Sequence, residues 1–167
     1  PMGKIGDRWG RRALFLWGSV VFMVASFACA FTVSATGLIA FRLLQGLGGA
    51  MMVSVSMAIL MAAFEPRERG MMIGLNVASV YLGLSAAPVL GGFITEYWGW
   101  RSLFLLNGSV SVFVTIALFF VIRQEWKVPE KTPFDWKGVA WYVPSLLMLM
   151  YGLSRLPQLS AVALTLA

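Results

Sequence analysis

Histidine is absent from this chain, and cysteine occurs once, at Cys29. The two scarcities exclude a disulfide framework and any thiol or imidazole metal site of useful size, so no metal is expected. Charge is also scarce. Only 12% of the 167 residues are charged, with 7 acidic against 13 basic, where a soluble domain carries roughly 25% charged residues. No nucleophile has a base nearby in sequence, so no enzymatic constellation is expected. No secretory signal peptide is recognisable. The apolar runs also lack the period-2 alternation of transmembrane strands.

Apolar sequence takes the place of what is missing. Hydrophobic residues make up 59% of the chain, and mean hydropathy is +0.81. An α-helix crosses about 30 Å of hydrocarbon with about 20 residues. Five stretches qualify: 13–33, 38–64, 71–94, 102–122 and 136–153. The expected fold class is therefore an all-α polytopic membrane protein, with the lipid bilayer as its main partner. The net charge of +6 is no nucleic-acid footprint, because the basic residues sit in short connections beside apolar runs. The chain opens within a loop motif and closes in an apolar run that starts near Ser160, so it is expected to be an internal fragment of a larger protein.

The basic residues also orient the spans. Lys4, Arg8, Arg11, Arg12, Arg67, Arg69, Arg123, Lys127, Lys131 and Lys137 fall on one side, Arg101 and Arg155 on the other, and Arg42 lies within a span. Cytoplasmic connections are enriched in Lys and Arg, so residues 1–12 are expected in the cytoplasm.

Residues 3–16 repeat at 92–105. Eight of the fourteen positions are identical (Gly, Ile, Trp, Gly, Arg, Leu, Phe, Leu), and Asp7 aligns with Glu96. Three spans separate the copies, which puts them on opposite membrane faces. Lys4, Arg8 and Arg11 of the inner copy become Phe93, Tyr97 and Trp100 outside, where aromatic rings favour the headgroup level. Three-helix units of inverted topology are a transporter architecture.

Within the spans, small residues recur at steps of four: Gly46, Ala50, Ser54, Ala58 and Ala62, then Ser79, Gly83, Ala87 and Gly91. Such ridges let helix backbones approach closely, as generic packing or as a moving seam. Pro88 removes a backbone donor inside its span and predicts a kink next to Gly91 and Gly92. Arg42, beside Gln45, either snorkels to the outer headgroups or faces a polar cavity where it biases a carboxylate on another helix. Asn76, Asn107 and Ser111 are either cavity residues or interhelical hydrogen-bond donors. Met51, Met52, Met57 and Met61 form either an adaptable ligand wall or ordinary packing.

These motifs resemble the major facilitator superfamily of secondary transporters. Gly3, Asp7, Arg8, Gly10, Arg11 and Arg12 look like its signature loop between the second and third helices. Arg42, Gln45, Gly46 and Gly48 resemble its fourth-helix motif. Gly83, Pro88, Gly91 and Gly92 resemble the fifth-helix antiporter motif, with Ala87 where glycine is usual. Trp100, Arg101, Phe104 and Asn107 resemble the start of the sixth helix in drug exporters. The five spans would then be helices three to seven. Residues 1–122 would belong to the N-terminal bundle and 123–135 to a cytoplasmic linker. Residues 136–167 would form an additional helix seven and the start of helix eight, as in fourteen-helix drug:proton antiporters of the EmrB/QacA type.

The resemblance implies export of lipophilic or cationic compounds from the bacterial inner membrane by alternating access. The proton gradient would supply the energy, with no cofactor, and an adaptor or outer-membrane channel could be a partner. It implies a conformational latch at Gly3–Arg12, in which Asp7 caps a helix of the other bundle while Arg8 and Arg12 bond neighbouring carboxylates. It also implies proton coupling at Arg42, Gln45 and Gly46, and a helix seal at Gly83, Ala87, Pro88, Gly91 and Gly92. Glu96, Trp100 and Arg101 form the outer repeat loop, and Asn76 and Asn107 are weak cavity candidates. Alternative readings are an exporter of a metabolite, siderophore or sugar, and a non-transporting truncated membrane scaffold.

Overall fold

The computed structural model describes residues 2–121 and 136–165, with side chains through residue 155. Every regular element among them is an α-helix. They are α1 (Met2–Trp9), α2 (Arg11–Phe31), α3 (Ala35–Ala63), α4 (Arg69–Trp98), α5 (Arg101–Val121) and α6 (Trp136–Thr165). The chain divides into two compact units, one spanning Met2–Glu130 and one beginning at Lys131. Among the described residues, α2, α3, α4 and α5 are long and apolar enough to cross a bilayer. The 21 residues of α2 or α5 rise about 32 Å, matching the hydrocarbon thickness.

The opening segment departs from expectation. A loop was expected over Gly3–Arg12, but two turns of helix run to Trp9 and the helix is interrupted at Gly10 alone. The reason lies in the backbone. Gly10 has φ 114°, and the one other positive φ among the described residues is Gly99 at 79°. Only glycine reaches such angles without a Cβ penalty. Gly10 and Gly99 are equivalent positions of the sequence repeat. Each amide closes the helix before it, Gly10 to the Gly6 carbonyl at 2.9 Å and Gly99 to Thr95 at 3.0 Å. Gly6 and Thr95 are equivalent as well, so the repeat extends to backbone geometry.

The core of the first unit is α2 packed on α3 and on α5. Ser34 Oγ accepts the Gly37 amide and caps α3, so Gly37, expected in a connection, lies in the first helical turn. Gly18 and Gly48 let α2 and α3 touch backbone to backbone. A Cβ on Gly48 would meet the Gly18 carbonyl oxygen at 2.7 Å, and one on Gly18 would meet the Gly48 carbonyl oxygen at 2.9 Å. Leu14, Val55 and Ile59 fill one end of the seam. Cys29, Ala30 and Phe104 fill the other, with Leu38 and Phe41 packed against them.

The ridge expected on α3 is not the one the fold uses here. Gly46, Ala50, Ser54 and Ala62 are exposed, whereas Gln45, Gly48, Val55 and Ile59 are buried. On α4, Ser79, Gly83 and Ala87 are exposed and Gly91 is only half-buried. Helix α4 buries none of its residues and continues through Pro88 without interruption. A step-of-four pattern marks a face but not the partner of that face.

The second unit contains α6. The expected end of a span at Leu153 and a fresh start near Ser160 are not seen, because a single helix of 30 residues runs to Thr165. It is long enough to span but is not among the four most apolar helices. Lys137, Gly138, Trp141, Tyr142 and Pro144 dilute its aliphatic content. The expected linker 123–135 lies outside the described residues.

Candidate functional site

Two buried polar clusters interrupt the apolar core. The first joins α2 to α5. Ser19 is fully buried and Ser111 nearly so. Ser111 Oγ donates to the Ser19 carbonyl at 3.1 Å, across the two helices. Thr115 Oγ1 lies 2.9 Å from Ser19 Oγ and 2.7 Å from the Ser111 carbonyl. Ser19 Oγ donates to the Leu16 carbonyl at 2.9 Å. Of the two readings of Ser111, the interhelical bond is therefore the one seen.

The second cluster ends on a cation. Arg42 Nη1 donates to Gln45 Oε1 at 3.2 Å. Gln45 Nε2 donates to Ser26 Oγ at 2.8 Å, and Ser26 Oγ donates to the Phe22 carbonyl at 2.7 Å. Gln45 and Ser26 are buried, so both ends of the glutamine amide are committed and its orientation is fixed. The Arg42 guanidinium also lies 4.4 Å from the centre of the Phe104 ring, within cation–π range. One hydrogen bond and one ring thus hold it from two directions.

Arg42, Gln45, Gly46 and Asn107 line one cleft of about 270 Å³, together with Phe22 and Gly49. Gly46 presents bare backbone to open space. Arg42 is exposed and lines this cleft. No ion pair of Arg42 is seen among the described residues. Asn107 is exposed at the cleft, while Asn76 is half-buried on α4 and does not line it. Met51 packs against the Leu14–Val55–Ile59 cluster, a packing role.

At the opening segment, Arg11 Nη2 and Nε each lie 2.8 Å from Asp7 Oδ1. The pair is spaced i, i+4 across the helix break at Gly10. Arg8 is exposed. Arg12 Nη2 donates to the Phe119 carbonyl at 3.3 Å, with the guanidinium 5.5 Å from the Phe119 ring. Gly3 approaches α3, where an added Cβ would lie 3.8 Å from the Ser54 carbonyl oxygen. In the second copy of the repeat, Arg101 Nη2 donates to the Thr32 carbonyl at 3.1 Å and the guanidinium stacks 4.4 Å from the Trp100 ring. Glu96 is exposed.

Sequence reasoning missed Ser19, Ser26 and Thr115. A signal was present, because Ser19 and Ser26 lie seven apart in an apolar span, as do Ser111 and Thr115 at four. Repeating hydroxyls on one helix face mark a polar contact face.

A bundle of membrane-length helices built on an inverted repeat defines a multi-pass membrane protein of transporter architecture. The family model described as Major Facilitator Superfamily matches residues 1–166, and the chain belongs to that family. It is 35% identical over 155 residues to "Drug efflux pump JefA" of Mycobacterium tuberculosis, covering 92% of this chain and 30% of that protein. It is 33% identical over 153 residues to "Multidrug resistance protein 3" of Bacillus subtilis, covering 90% and 29%. It is 32% identical over 146 residues to "Riboflavin transporter RibZ" of Clostridioides difficile, covering 87% and 30%. The chain therefore spans about 30% of the length of these relatives.

Proposed function

We propose that the protein is a proton-coupled secondary transporter, not an enzyme, that exports lipophilic or cationic compounds from the bacterial inner membrane by alternating access. The observation that carries this reading is Arg42, a cation held by neutral groups at the edge of a cleft. A carboxylate brought to that cleft by another helix would be favoured in its charged form beside the guanidinium. Protonating it would weaken the attraction and release the contact, which couples proton uptake to movement. Gln45 and Ser26 serve by fixing where the charge sits, and Gly46 leaves room for the approach.

In the same proposal, Gly3–Arg12 is the cytoplasmic latch. Asp7 exchanges its bond to Arg11 for the N-terminus of a helix in the other bundle, where orphan amides favour an anion. The exposed face of α4, with Gly83, Ala87, Pro88, Gly91 and Gly92, seals against that bundle. Names of relatives such as "Drug efflux pump JefA" and "Multidrug resistance protein 3" support drug export. A second reading, export of a metabolite, is favoured by the relative named "Riboflavin transporter RibZ".

The test is efflux of ethidium from cells that express the protein, with and without an uncoupler. Export that stops when the proton gradient collapses is expected. Export that continues refutes proton coupling, and export of riboflavin in place of ethidium favours the second reading.

A further inference from the structure

Arg12 and Arg101 are equivalent positions of the repeat, and each donates to a backbone carbonyl at the far end of the other element. Helices α2 and α5 run antiparallel, since Arg12 meets Phe119 at one end and Thr32 meets Arg101 at the other. Neither helix has a basic residue in its own last turn. The last carbonyls of a helix lack intrahelical partners and carry the negative end of its dipole. Each helix receives its terminal cation from the first turn of the other. Arg12 reaches the Phe119 carbonyl, two residues before the end of α5. Arg101 reaches the carbonyl of Thr32, the C-cap of α2. An aromatic ring steadies each guanidinium, Phe119 for Arg12 and Trp100 for Arg101. Between them lies the buried Ser19–Ser111–Thr115 cluster.

We infer that Arg101 is a positioning residue, the inverted counterpart of Arg12, and that each arginine clamps its own end of the α2–α5 pair. The asymmetry between the repeat copies fits this division. Lys4, Arg8 and Arg11 give way outside to Phe93, Tyr97 and Trp100, whereas the arginine at this one position is kept on both faces. The positive-inside preference accounts for the replacements but not for the retained cation.

The experiment uses spin-label pairs on the full protein in proteoliposomes, with Cys29 replaced by Ala. One pair reports the outer end (Phe31→Cys with Leu106→Cys) and one the inner end (Trp17→Cys with Phe120→Cys). All four positions are exposed. Arg101→Gln is expected to broaden the outer distance distribution and leave the inner one narrow. Arg12→Gln is expected to do the reverse, and Arg101→Lys, which keeps the cation, to restore much of the outer order. Broadening of both pairs by either substitution would reveal general destabilisation and overturn the clamp, as would no change in either pair.

Discussion

Gly46 and Gly48 stand two residues apart on α3 and have opposite tolerances. A methyl group on Gly48 would strike the Gly18 carbonyl oxygen and the Phe22 amide, both at 2.7 Å, whereas one on Gly46 would meet nothing within 4 Å. Backbone cannot swing aside as a side chain can, so Gly48→Ala is expected to destabilise by about 1–3 kcal/mol. Gly46→Ala is expected to stay within about 0.5 kcal/mol. Thermal unfolding of the purified protein in detergent compares the two directly. Gln45 makes a different demand, because its amide links a cation to a buried hydroxyl. Gln45→Leu leaves Ser26 and Arg42 without that link, and gradient-driven efflux is expected to fall at least about tenfold, the equivalent of one lost hydrogen bond to a charged group. Gln45→Glu would give Arg42 a carboxylate of its own, and efflux is expected to lose its normal pH dependence.

At the scale of elements, pairing is decided by which faces carry backbone contact and polar bonds. The spans were legible from hydropathy and length, and four of the five appear within a few residues of the expected limits as α2 to α5. Their faces were not. The α3 ridge of Gly46, Ala50 and Ser54 faces away from α2, and Gly48 on a neighbouring face makes the close contact. Small residues are needed wherever backbones approach, and α3 carries them on two faces. Periodicity alone could not say which face meets α2. The α2–α5 seam offers a further test. Ser19→Val removes a hydroxyl between Leu16 and Thr115, and interhelical polar contacts in membranes average about 0.6 kcal/mol with a maximum of about 1.7. A loss in that range is expected from unfolding measurements, and pairing it with Thr115→Val should show non-additivity.

At the scale of the molecule, topology follows from charge. Cysteines placed at Arg67 and at Tyr97 are expected to react with an impermeant thiol reagent from opposite faces of intact cells, Tyr97 from outside. Reaction of both from one face would overturn the orientation. The helical class, the membrane spans and the repeat were set by the sequence itself. Each follows from local chemistry: apolar length against bilayer thickness, and identity at fixed spacing. Tertiary structure alone decided that Gln45 is tied to Ser26, that Arg42 lies over the Phe104 ring, and that Arg12 and Arg101 reach across to the helix opposite. The physical reason is range. A hydrogen bond acts over about 3 Å, and Arg12 and Phe119 or Thr32 and Arg101 come that close only after the helices between them have folded back and packed.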